Sequence, residues 1–181
     1  LDAAHNRANS YDKASRQPES LNLREEVLAI RRRVLPGDHL RLRWSLNSMA
    51  LSYARTGRHA EAVALFEEVL AANGRVVGRD HPDTLDNMEE MAKSLVALNR
   101  DAEAIPILDE CMKRTEAVRL KEPADYYNAA CLRVFAGKAH SRSNQPAKAT
   151  AENDRAVDLL SKAVAAGYRC GDLMKTDTDL D

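Results

Sequence analysis

Displaced by 42 residues, the chain matches itself: GDHLRLRWSLNSMALSYARTGRHAEAVALFEEVLA lies over RDHPDTLDNMEEMAKSLVALNRDAEAIPILDECMK. That period belongs to stacked helical hairpins. Identities or close matches fall at Asp38/Asp80, His39/His81, Met49/Met91, Ala50/Ala92, Arg58/Arg100, Ala60/Ala102 and Glu61/Glu103. A further step of 42 residues upstream brings Ala8, Tyr11, Leu21, Leu23, Glu25, Glu26 and Val27 into register, so an imperfect first copy opens the chain.

Within the second copy, Leu42, Leu46, Met49, Ala50 and Tyr53 recur at steps of three and four, which predicts a helix from Arg41 to Thr56 with one apolar stripe. Gly57 supplies a stop, and Ala62, Leu65, Phe66, Val69 and Leu70 form the stripe of a second helix with Gly74 near its end. Ala50 and Ala62 are small enough for the two backbones to approach closely. The third copy repeats the plan from Asp83 to Leu98 and from Asp101 to Lys113, with Asn99 in place of Gly57 and Pro106 inside its second helix. Pro82 and Asp83 supply start chemistry, Thr84 is an alternative cap, and His39 and His81 read as caps or packing groups rather than catalytic ones.

A fourth, divergent unit begins near Pro123. Tyr126, Ala129, Ala130 and Val134 form its first stripe, and Ala156, Leu159, Leu160, Ala163 and Val164 its second. Between them HSRSNQPAKAT predicts an irregular loop, with the next helix starting at about Ala149. The expected units are thus 1–34, 41–75, 83–115 and 123–166 within a single all-α domain over 1–181, with 167–181 as a C-terminal cap or tail over the last hairpin.

Composition removes the competing classes. Apolar residues at 44%, with 7 Gly and 6 Pro, argue against disorder and against an all-β fold. A net charge of -1 gives no overall field toward nucleic acid or an anionic membrane. Arg31, Arg32 and Arg33 read as charges opposing a helix C-terminus, and Arg41 and Arg43 lack a regular series of stacking aromatics. No apolar run approaches a membrane span, and LDAAHNRANS lacks the core of an export signal. Cys111, Cys131 and Cys170 are odd in number and unclustered, so they read as thiols in a reducing, cytoplasmic compartment. Leu1 at the start and the polar ending at Asp181 suggest part of a longer chain.

Catalytic signatures are missing as well: the sequence has no glycine-rich phosphate loop, HExxH, CxxC or GxSxG. Glu67 and Glu68 follow an outward helical face, Glu110 lies in the repeated second-helix pattern, and neither Glu89 nor Glu90 has an identifiable nucleophile or metal partner. Asp177, Asp179 and Asp181 lack the glycine and distal acid of a calcium loop, and read as an acidic terminus. The chain reads as a non-enzyme without cofactor or metal.

These residues resemble the tetratricopeptide repeat (TPR) family, especially the 42-residue units of kinesin light chains. Leu46, Met49, Ala50, Tyr53, Ala62, Phe66 and Val69 match its packing positions, and RTGRHAEAVALFEEVL is similar to its turn and second helix. Leu95 departs where the family favours Tyr; Arg7, Ser20 and Arg24 depart in the first copy, consistent with an exposed or truncated end. The likeness extends over about residues 1–166. Further on, YNAACLRVF and DRAVDLLSKAVAAGYRCGDLMKTDTDLD resemble helical-repeat regions of planctomycete serine/threonine protein kinases.

The TPR resemblance implies a right-handed superhelix of about four stacked antiparallel hairpins, with first helices lining a concave groove. The groove residues are then Trp44, Asn47, Ser48, Leu51 and Arg55 in the second unit, and Asp86, Glu89, Glu90, Lys93 and Ala97 in the third. His5, Asn9, Asp12 and Lys13 extend the set at one end, and Tyr127, Cys131 and Phe135 at the other. The implied function is noncovalent protein or peptide binding, as an interaction or regulatory module of a larger signalling protein, without nucleic acid or membrane. The alternative is a structural spacer or self-association unit in which these polar groups solvate a scaffold and Trp44 packs between repeats.

Overall fold

The computed structural model describes residues 2–13, 16–118, 120 and 122–168. These form eight α-helices: α1 (Asp2–Lys13), α2 (Gln17–Val34), α3 (Leu40–Arg55), α4 (His59–Val76), α5 (Pro82–Ala97), α6 (Asp101–Val118), α7 (Pro123–Arg142) and α8 (Pro146–Ala165). No strand occurs among the described residues. The chain divides into two compact units, residues 1–94 and 95–181.

Local chemistry explains the alternation of helix and turn. Gly57, Asn99 and Asn144 adopt left-handed φ angles of 76°, 58° and 57°. The next residue's amide reaches five residues back in each case, Arg58 to the Tyr53 carbonyl, Arg100 to Leu95 and Gln145 to His140, at 2.8 to 2.9 Å. This Schellman closure satisfies carbonyls that a helix end leaves unpaired. An arginine then pairs with a glutamate three residues on: Arg16 with Glu19, Arg58 with Glu61 and Arg100 with Glu103, through Nε at 2.9, 2.8 and 2.7 Å. The hydrogen bond from arginine holds the Glu19 and Glu103 carboxyls below their ordinary range and raises Arg16 and Arg58. At the other end of the hairpins, the Nδ1 atoms of His39 and His81 accept the amides of Arg41 and Asp83 at 3.1 and 3.2 Å. These histidines cap α3 and α5. Thr84 instead donates its hydroxyl to the Gly78 carbonyl at 2.8 Å.

In the N-terminal unit the core is built from Leu28, Leu42, Leu46, Met49, Ala50, Ala62, Leu65, Phe66 and Val69, with Leu51, Tyr53 and Met91 partly buried against it. Burying a Phe66-sized side chain contributes about 2 to 3 kcal/mol. Ala50 and Ala62 are fully buried. In the first copy the corresponding pair is Ala8 and Ser20, where the buried serine hydroxyl donates to the Ala8 carbonyl at 3.0 Å and receives Arg24 Nε at 3.3 Å. The departures at Ser20 and Arg24 are therefore buried, contrary to the exposed-end reading, and hydrogen bonding makes them compatible with burial. Arg7 is exposed.

Two further arginines are buried. Arg31 reaches from α2 to the Arg41 carbonyl at 3.0 Å and to the Ser45 hydroxyl, and Arg43 donates to the Asn73 amide oxygen of α4. A third tie lies beside the α3–α4 turn. The Tyr53 hydroxyl donates to Glu25 at 3.1 Å while the Arg58 guanidinium lies 3.9 Å from the Tyr53 ring centre. Burial, followed by the bond to Glu25, pushes the Tyr53 phenol up.

In the C-terminal unit, α7 packs against both α6 and α8. Ala129, Ala130, Ala156 and Leu159 form its hairpin core, and buried Arg133 donates to Glu152. The expected irregular loop is absent: α7 runs through HSR to Arg142, and α8 begins at Pro146 rather than Ala149. Left-handed Asn144 makes the reversal in three residues, and proline suits the first helical position, whose amide needs no partner. Val164 is 69% exposed and so lies outside the predicted stripe. Helix α6 continues through Pro106 to Val118, five residues beyond its expected end.

Candidate protein-interaction surface

Helix α3 turns Trp44, Asn47, Ser48, Leu51 and Arg55 along one side, at successive steps of three, one, three and four residues. The opposite side carries the buried Leu42, Leu46, Met49 and Ala50. Core packing thus sets which residues of α3 remain accessible. Trp44 is 53% exposed, an unusual position for a large aromatic. One turn further, Asn47 is half-buried, and its Oδ1 is fully buried without a hydrogen-bond partner in the structure. Ser48 accepts, through its carbonyl, the Ser52 hydroxyl at 2.9 Å. Leu51 is shared between this surface and the core, while Arg55 is exposed in the last turn.

On α5, Asp86 is exposed and Glu89, Glu90 and Lys93 are half-buried. The Lys93 ammonium meets Glu90 at 3.2 Å. Met91 fixes the helix against the core that also receives Leu51, leaving the acidic residues on another side.

Tyr127 does not join an accessible set. It is 6% exposed and stacks on Tyr168 at 4.9 Å between ring centres, with Cys131 in the same apolar cluster. Gly167 at φ 93° turns the chain so that the Tyr168 amide reaches the Ala163 carbonyl at 2.9 Å, which brings the second ring over Tyr127. The predicted side chains of His5, Asn9, Asp12 and Lys13, and the tail at 169–181 with Cys170 and its aspartates, lie outside the described residues. Among the described residues no group of His, Cys, Asp and Glu could hold a metal ion, and no helix is long and apolar enough to cross a membrane.

The profile of the tetratricopeptide repeat family matches residues 1–75 and 45–117. The chain belongs to that family. Among solved structures, the nearly identical TPR-like repeats of a Podosopora anserina protein assigned as a kinesin light chain are 23% identical, with a TM-score of 0.73 over 90% of this chain and 75% of that one. Its Q17M form gives 0.74 at 23% identity over 91% and 76%. BtubC (BKLC) from P. vanneervenii gives 0.76 at 17% identity; the match spans 90% of this chain but only 63% of BtubC. These likenesses place the protein in the all-α TPR fold class. No curated protein matches the chain. TPR repeats commonly mediate protein–protein interaction, and the family is typically non-enzymatic.

Proposed function

We propose that the accessible sides of α3 and α5 form a groove that binds an extended segment of a partner protein, and that the chain serves as an interaction module of a larger signalling protein. The observation that carries this reading is the exposed indole of Trp44, flanked on the same side of α3 by half-buried Asn47, Ser48 and Leu51. A large aromatic anchor gains affinity from desolvation, and the half-buried Asn47 and Ser48 beside it add polar groups at the edge of the contact. A peptide supplies both an apolar side chain and backbone N–H groups. Trp44→Ala and Asn47→Ala, tested against peptides selected on the intact chain, weaken binding while the circular dichroism spectrum is unchanged. Indifference of every selected peptide to both variants refutes the groove.

A second reading is self-association. It is favoured by Val157 and Val164 on α8, 63% and 69% exposed beside a hollow of about 470 Å³ also lined by Leu160. Sedimentation of the parent chain and of Val164→Glu separates this reading from peptide binding.

A further inference from the structure

We infer that the partner segment is basic, with an apolar side chain seated on Trp44 and Lys or Arg side chains directed toward α5. This rests on the groove reading above and specifies its ligand. The repeat register aligns Trp44 with Asp86, Asn47 with Glu89, Ser48 with Glu90 and Leu51 with Lys93. Along α3 the only charges on this side are Arg41 and Arg55 near its two ends, and the stretch between them is an indole, an amide, a hydroxyl and a leucine. Along α5 the same positions, together with Asp83 one turn earlier, carry four carboxylates and one ammonium. Lys93 is within 3.2 Å of Glu90, and four carboxylates against one ammonium leave α5 with the negative excess while Arg41 and Arg55 stand near the two ends of α3.

The two helices therefore make different demands on one ligand. The α3 side rewards apolar burial at Trp44, with the polar Asn47 and Ser48 beside it. The α5 side carries an excess of carboxylate over ammonium, which favours cationic side chains and repels carboxylates. A basic segment with an interleaved apolar residue meets both demands. The chain's own residues 169–181 carry four Asp against one Arg and one Lys, the opposite charge balance, so they are the poorer occupant.

The test is selection of randomised decapeptides on the intact chain. Each winner is resynthesised with its charged residues as Lys, Gln or Glu, and binding is followed by fluorescence anisotropy. Winners carry Lys or Arg near a large apolar residue; the Lys form binds on the order of 10-fold tighter than the Glu form at low salt, and the gap narrows as salt is raised. The combined variant Glu89→Gln, Glu90→Gln removes most of that preference while leaving the contribution of Trp44. Enrichment of acidic or uncharged winners overturns the charge assignment, as does a preference for Lys unchanged in the double variant. If those same peptides still lose affinity on Trp44→Ala, the groove stands and only its charge selectivity falls. Winners indifferent to both Trp44→Ala and Asn47→Ala, or no winners at all, overturn the groove itself.

Discussion

Arg142, the last residue of α7, grips Asp101, the first residue of α6, through two guanidinium hydrogen bonds, and the same guanidinium reaches the Val96 carbonyl at 2.7 Å. One side chain thereby satisfies a helix-start carboxylate and a helix-end carbonyl together. The bond to Asp101 raises the Arg142 pKa further above an already high value, so the group is charged throughout the working pH range. Arg142→Met leaves both acceptors without this donor and lowers stability by about 1 to 3 kcal/mol. Urea unfolding measures this, and a variant as stable as the parent refutes the tie.

His39 caps α3 through a side-chain nitrogen, and His81 caps α5 in the same way. Replacing either by Ala removes an acceptor from a helix start and costs about 0.5 to 2 kcal/mol, whereas Asn, itself a good cap, costs less. Thermal melts of His39→Ala and His39→Asn should therefore separate. Equal losses would assign the histidine's contribution to packing.

Gly137 lies on the side of α7 that faces Ala149 and Asn153 of α8. A Cβ there would stand 2.4 Å from Asn153 Oδ1, but the obstacle is the end of an exposed side chain; the backbone oxygen of Ala149 is a comfortable 3.4 Å away. Alanine also gains about 1 kcal/mol of helix propensity over glycine. Gly137→Ala alone is accordingly near neutral, and in an Asn153→Ala background it stabilises by about 1 kcal/mol. A double-mutant cycle by chemical denaturation detects the coupling, which is absent if the two residues are not in contact.

Glu19 and Glu103 are held below the ordinary carboxyl range by Arg16 and Arg100. Because the folded values are lowered, their stabilising contribution is complete above about pH 4.3, the free glutamate value, and is lost as pH falls through the folded values. Carbon-detected NMR of the glutamate carboxyls should give midpoints below that of free glutamate. Midpoints at the free value would show that these solvent-facing pairs are not populated.

The hairpins were legible because apolar spacing and the 42-residue echo report on the same faces. Leu46, Met49, Ala50 and Phe66 are all fully buried, and the left-handed turn expected at Asn99 is present. The buried polar ties were not legible. Arg31, Arg43, Arg133 and Arg142 find partners between 10 and 46 residues away, and no period announces which charged residue will turn inward. Tyr127 was misplaced for a related reason: its cover, Tyr168, comes from beyond the last helix. The α7–α8 loop was overestimated because a polar, proline-containing stretch looks irregular until Asn144 and Pro146 are recognised as a turn and a helix start. On the candidate surface, the α3 and α5 positions followed from the repeat, but the sequestered oxygen of Asn47 did not.

The helix bounds leave three residues between the members of each hairpin, at 14–16, 56–58, 98–100 and 143–145, against four or five between hairpins. Each added helical residue would swing the following side chains by about 100°, and a three-residue reversal has no slack to absorb the change. Length variation is therefore best accommodated at 35–39 and 77–81. Those are the places to splice in a tag, a cleavage site or an additional repeat without turning the second helix of a pair away from the first.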